Sequence, residues 1–298
     1  MLSILARFLI ATAGLCLAAC AVDSRRAPVL PAPETTRNAV RTADLASGVV
    51  EYELFVPDDG RPAPLVIILH GFSRSRANMR DWGVRLSQEG FVAVVPTLPT
   101  WANHRRNAAS VVELMDHLCA DRTLPIDRTR IALVGHSAGG LCAFLAAADN
   151  DRVNLWIGLD PVDRYRQAVE AAPRVRCRVV ALLAEPSGCN KRSNWTAVQY
   201  APQSRALTLV VTGAVHSDCE SPTDRIAELA CGKSDPSRRQ TFKQYTIAAL
   251  RDHLLQDPRA QAMLAAAGAD GKVRRFMPSQ DGLPAASGDG ATAGSSED

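Results

Sequence analysis

No apolar run in this 298-residue sequence is long enough to cross a bilayer; the N-terminal one starts after Arg7 and ends at Cys20. Nor does one charge dominate, since 34 Lys and Arg face 31 Asp and Glu for a net +3. The arginines are scattered singly, as on a solvated surface, so no nucleic-acid face is expected. No Cys-x-x-Cys pair or His/Cys cluster has metal spacing, so neither a metal site nor a cofactor is expected. What is present suffices for one full core: about 240 residues between two polar ends fit a single α/β domain.

Met1 to Cys20 carries one cation, Arg7, then an apolar stretch closing on Leu17-Ala18-Ala19-Cys20. That is the layout of a secretory signal peptide. The last four residues resemble the lipobox of bacterial lipoproteins, where a small residue precedes a cysteine that is lipidated and becomes the mature N-terminus. The resemblance implies lipidation at Cys20 and an exported protein anchored to a bacterial membrane on its periplasmic or cell-surface side. Residues 21–38, rich in Pro, Ala, Arg and Thr, read as a flexible tether. The folded domain is expected over 39–258, with 259–298 a largely disordered tail. In an oxidising compartment one disulfide is expected among Cys189, Cys219 and Cys231, its connectivity open; Cys142 reads as a buried hydrophobe.

Short apolar runs follow at Val49–Val56, Leu65–Leu69, Phe91–Pro96, Arg130–Val134, Leu155–Leu159, Val179–Ala184 and Leu207–Thr212. They are continuous rather than alternating, as parallel strands buried on both faces should be. Helical patterns occupy Ser75–Glu89, Asn107–Ala120, Ser137–Ala148 and Phe242–Leu255. Strand and helix in alternation predict an α/β class, a mostly parallel sheet with helices on both faces.

The centre of the chain is Gly135-His136-Ser137-Ala138-Gly139-Gly140, between the strand at Ile131–Val134 and the helix after it. Strand, Gly-x-Ser-x-Gly and helix together define a nucleophile elbow, a turn so tight that small residues must flank the serine. In a parallel sheet the chemistry sits at the C-terminal strand ends. Read in order, those ends carry His70-Gly71-Phe72, Thr97, Ser137, Asp160, Glu185 and His216. Of six histidines only His216 and His253 follow the possible acids, and His253 lies inside a helix, which leaves His216 as the base. Asp160, Asp163 and Glu185 are all placed to orient it. The oxyanion hole is expected from the backbone N–H groups of Phe72 and Ala138. His70 and His136 are expected to orient backbone rather than transfer protons.

Gly-His-Ser-x-Gly-Gly, a Leu-Asp after the next strand and the Gly213-to-His216 loop resemble the platelet-activating-factor acetylhydrolases. Gly158-Leu159-Asp160-Pro161-Val162-Asp163 is more similar to plant chlorophyllases, as is Cys231-Gly232-Lys233-Ser234 before a helix. The resemblance runs loosely from His70 to about Leu255 and implies an α/β-hydrolase fold and a serine ester hydrolase. In both families the acid follows the strand after the elbow helix, which implies Asp160. Secreted cutinase-like polyester hydrolases share His70-Gly71-Phe72 and the elbow, but their acid lies one strand later, where this chain has Glu185; that is the reserve acid. Ala138 stands where plant chlorophyllases usually carry a bulkier residue.

Between Asp160 and the strand at Val179 there is no room for a large cap domain, so an open site suited to bulky or hydrophobic, lipid-like esters is expected. Trp101, Trp195 and Tyr200 are candidates to line the cleft. The same triad could serve a thioesterase or a peptidase. A non-catalytic binding lipoprotein would be expected to lack a triad member, and none is missing. The expected state is a monomer.

Overall fold

The computed structural model describes residues 36–200 and 206–276. The signal segment, Cys20, the tether as far as residue 35, and residues 277–298 lie outside the described residues, as does the side chain of Tyr200.

Nine strands form one sheet: β1 (Thr36–Leu45), β2 (Gly48–Pro57), β3 (Ala63–Leu69), β4 (Val92–Pro96), β5 (Ile126–His136), β6 (Leu155–Leu159), β7 (Arg178–Leu183), β8 (Ala206–Val211) and β9 (Val273–Arg275). Their order is β1-β2-β4-β3-β5-β6-β7-β8-β9. From β4 to β8 every neighbouring pair is parallel. β1 and β2 form an antiparallel hairpin at one edge, and β9 runs antiparallel to β8 at the other.

The described residues hold seven helices, α1 (Arg80–Gln88), α2 (His104–Ala120), α3 (Ala138–Ala148), α4 (Gln167–Ala171), α5 (Arg225–Cys231), α6 (Pro236–Leu255) and α7 (Pro258–Ala265); α1 and α6 lie on one face of the sheet and α2 and α3 on the other. β3 shows why its sequence is apolar without alternation. Leu65, Ile67 and Leu69 enter the core shared with α2 and α3, whereas Val66 and Ile68 enter the core shared with α1 and α6. All five are fully buried, so neither side of the strand has a polar position. α3 is buried over its whole length and forms the centre of the molecule.

The α/β class, the parallel centre and the absence of a large cap agree with the sequence reading. Between β6 and β7 lie only α4 and a 3-10 turn at Ala172–Arg174. The domain limits differ. The chain enters the sheet at Thr36, before the expected boundary at 39, through an edge strand in which Ala43 is the one fully buried side chain among residues 37–45. Beyond Leu255, α7 packs on α6 and β9 extends the sheet as far as Arg275, so the segment after 258 is not simply a tail. β9 has just three residues with Val273 inward, too few for periodicity to register. α7 did carry a signal, Asp257 at the N-cap before Pro258. Among the described residues no helix is long and apolar enough to cross a membrane.

Candidate active site

β5 runs straight into the elbow. Ser137 takes φ 54°, ψ −122°, a conformation that costs a non-glycine residue about 1–3 kcal/mol and persists only where its surroundings enforce it. Here they do. The Ser137 N–H donates to Leu159 O at 3.1 Å, and its carbonyl accepts from Gly140 and Val162 N–H. A Cβ on Gly139 would lie 2.3 Å from the carbonyl oxygen of His70, so only glycine lets α3 start this close to the β3 loop. A Cβ on Gly71 would lie 3.2 Å from Ser137 Cβ, which puts the His70-Gly71-Phe72 turn against the serine.

β6 ends in Asp160, fully buried, and β8 leads to His216 in a loop over the same rim. Asp160 Oδ2 lies 2.6 Å from His216 Nδ1. The same carboxylate accepts the Ala184 N–H at 3.0 Å and the side-chain amide of Asn190 at 3.2 and 3.1 Å. With these partners the carboxylate is held as an acceptor facing Nδ1, which leaves Nε2 as the free ring nitrogen of His216. The ring of His216 packs on that of His136, the residue before Ser137, with centroids 4.5 Å apart. Base and elbow are therefore neighbours.

The other acids face elsewhere. Glu185, at the end of β7, pairs with Arg274 at 2.7 Å and accepts the Gly213 N–H. Asp163 accepts the Ala168 and Val169 N–H groups at the start of α4. The reserve position at Glu185 is thus not where the imidazole finds its partner.

Asn190 carried no sequence signal as an isolated loop asparagine, yet it is fully buried and organises the loop after β7. Besides Asp160, its amide donates to Glu185 O, and its Oδ1 accepts from Ser187 and Ser193 N–H. One residue away, Cys189 is bonded to Cys231 at the end of α5. Gly232, next along, accepts from the hydroxyl of Ser217, the neighbour of His216. The expectation of one disulfide among three cysteines resolves to this pair. Cys219 and Cys142 are buried free thiols, their pKa raised by burial, for Cys142 to about 12.

Of the two flanking histidines only His70 ties loops together by hydrogen bonds; both ring nitrogens of His136 are buried without a hydrogen-bond partner among the described residues, so the structure does not bear out a backbone-orienting role for it. The Nε2 of His70 accepts the Leu98 N–H at 2.9 Å, so its Nδ1 carries the proton and donates to Gly71 O at 2.8 Å. Burial pushes His70 down to about 4. Burial, and the nearby charges of His216 and Arg74, keep His136 far below the ordinary imidazole range. A neutral His136 does not oppose an imidazolium forming at His216. Because the unfolded chain protonates His70 first as the pH falls, its contribution to stability is whole above about 6.5 and is lost toward pH 4. Between pH 7 and 4.5 urea unfolding of His70→Gln should lose about 2–3 kcal/mol less stability than wild type. Equal losses would show that His70 is not the group responsible.

A cavity of about 70 Å³ opens beside Ala138, lined by Phe72, Trp101, His104, Asn107 and Cys142 among others. Trp101 lines it and is 77% exposed. Trp195 is not there. It is fully buried, stacked on Trp156 at 5.0 Å and edge-on to Phe144 at 5.2 Å. Its loop turns inward over α3 because Asn194 bonds the backbone of Asp163 on both sides. Among the described residues no cluster of three or more His, Cys, Asp or Glu is arranged to hold a metal.

Sheet, elbow and rim define an α/β-hydrolase. A family model described as Chlorophyllase matches residues 38–182, and the chain resembles that family. Chlorophyllase-2 of Arabidopsis thaliana is 30% identical over 126 residues, 38% of this chain and 40% of that protein. The chain thus spans about two fifths of that relative's length. The family match takes in Phe72, Ser137 and Asp160 and stops before His216.

Proposed function

We propose that this protein is a serine hydrolase of carboxylic esters working through Ser137, His216 and Asp160. The observation that carries the reading is the 2.6 Å contact between Asp160 and His216 on the rim that holds the strained Ser137. His216 Nε2 accepts the Ser137 proton as Oγ adds to the ester carbonyl, whose π electrons become an oxyanion. Asp160 holds the Nδ1 proton and stabilises the imidazolium. Phe72 and Ala138 offer their N–H groups to the oxyanion. Ala138 opens α3, where an N–H has no helical carbonyl to bond, and each such donor is worth about 3 kcal/mol of barrier. Collapse breaks the ester C–O bond, and the alkoxide leaves with the proton from His216. Water, deprotonated by the same imidazole, then frees the acid and restores Ser137.

The open rim supports bulky, hydrophobic esters, a class to which the esters of the chlorophyllases also belong. Attachment through a lipidated Cys20 would keep the domain at a membrane. The polyester-hydrolase arrangement is less well supported, because Glu185 is engaged by Arg274.

The test is labelling by a fluorophosphonate together with turnover of p-nitrophenyl esters. Wild type should be labelled and active, and Ser137→Ala should show neither. Labelling without turnover would leave the triad standing and reject the choice of ester. Neither signal in wild type would end the enzyme reading.

A further inference from the structure

Seven large apolar side chains are exposed among the described residues, and two of them, Val40 and Val49, lie on the β1–β2 hairpin. The other five, Phe72, Trp101, Tyr165, Ile226 and Leu229, all stand on loops or short elements that follow the C-terminal ends of β3, β4, β6 and β8. Their exposure runs from 56% at Phe72 to 88% at Leu229. Phe72 and Trp101 meet at the cavity beside Ala138. Ile226 and Leu229, three residues apart on α5, share its outer face while Ala227 packs inward. α5 is fixed at both ends, its N-cap Asp224 to Arg74 of the β3 loop and its last residue Cys231 to Cys189. Apolar side chains displayed on a pinned element around a reaction centre point to something that covers them.

The charges on the same loops say what. Arg166, Lys191, Arg192, Arg225 and Lys233 are exposed, and none is in an ion pair among the described residues. The carboxylates there have partners of their own, including Glu170 with Arg105 and Glu228 with the Ser234 N–H, although Asp224, Glu170 and Glu185 are partly exposed. Asp224 and Glu220 are held by Arg74, Asp218 by Arg238, Glu185 by Arg274, and Asp163 caps α4. The rim therefore offers apolar side chains, three of them aromatic, among unpaired cations. That is the composition that settles at the headgroup level of an anionic bilayer.

We infer that this rim docks on an anionic lipid surface, with Ile226, Leu229, Trp101, Tyr165 and Phe72 entering the headgroup layer. Ser137 then faces the membrane, and the ester is taken from the lipid phase rather than from water. The docking itself does not depend on the esterase reading; only the source of the substrate does.

The test is vesicle cosedimentation of the full chain carrying Cys20→Ser, so that no acyl chain can be attached. Phosphatidylcholine vesicles with phosphatidylglycerol should bind it, and phosphatidylcholine alone should bind it far less. Arg166→Gln with Arg225→Gln should lower partitioning about 25-fold, at some five-fold per cation. Ile226→Ser with Leu229→Ser should lower it about ten-fold. Both pairs should keep the wild-type melting temperature and wild-type turnover of a short soluble ester, and Ser137→Ala should bind like wild type. Equal binding to both vesicles, no binding, or binding that neither pair reduces would overturn the proposal; the last would assign the attraction to the N-terminal segment. Self-association without lipid, abolished by Ile226→Ser with Leu229→Ser, would overturn it in favour of a second copy. Vesicle binding by a chain inert toward every ester would uphold the surface and reject the esterase reading alone.

Discussion

Asp160→Asn should lower kcat on a p-nitrophenyl ester by about 10⁴-fold, while Glu185→Gln stays within about two-fold of wild type. The asymmetry comes from what each carboxylate touches. The amide of Asn at 160 can offer an N–H where His216 now finds an acceptor, which favours the tautomer with its proton on Nε2, the nitrogen that must be free to take one from Ser137. Glu185 touches Arg274 and the Gly213 N–H, and its exposed pair contributes little beyond local order. Asn190→Ala should fall between the two, lowering kcat about ten-fold with KM nearly constant, because it removes two bonds to Asp160 without touching substrate. A dead Glu185→Gln beside an active Asp160→Asn would move the acid one strand along and reinstate the polyester-hydrolase arrangement.

Trp195→Ala should destabilise the fold by about 3–5 kcal/mol, one of the largest single losses available in this molecule. The side chain is fully enclosed between Trp156, Phe144 and the buried face of α3. Those neighbours are themselves anchored, Trp156 through its indole N–H to Gly140 O, so the space would not close by collapse. The molecules that remain folded should hydrolyse a soluble ester at close to the wild-type rate. Trp101→Ala should do the reverse, leaving the melting temperature alone and raising KM for long-chain esters. Urea unfolding read beside steady-state kinetics separates the two tryptophans; a stable Trp195→Ala with raised KM would return that residue to the cleft.

The two tryptophans mark where the sequence was legible and where it was not. The elbow could be read because its chemistry is local: Gly135, Ser137 and Gly139 all fall within five consecutive residues. The rim could be read because a parallel sheet puts every strand's C-terminal end on one side, so His216 and Asp160 could be assigned to it without contacts. Residues 185–200 offered no such rule. Whether Trp195 faces the cleft or the core depends on Asn194 bonding Asp163 from 31 positions away, and Asn190 matters only because it folds back on Asp160. Long-range polar contacts of this kind leave no periodic trace. The edge strands β1 and β9 escaped for the opposite reason, having too little buried surface to make a pattern.

The bridge between Cys189 and Cys231 also alters the covalent topology of the chain. β8, His216 and α5 belong to a ring closed over a separation of 42 residues, with its clasp beside Asn190 on one side and Gly232 on the other. In the unfolded protein that ring keeps the histidine from drifting far from the loop that positions the aspartate. Chain-entropy reckoning for a ring of this size gives about 4 kcal/mol in favour of the folded state. The constraint falls on the one stretch of the relay that the chlorophyllase match does not reach. The imidazole thus remains tethered to the Asn190 loop even when every hydrogen bond between them is open, while Asp160 itself lies outside the ring.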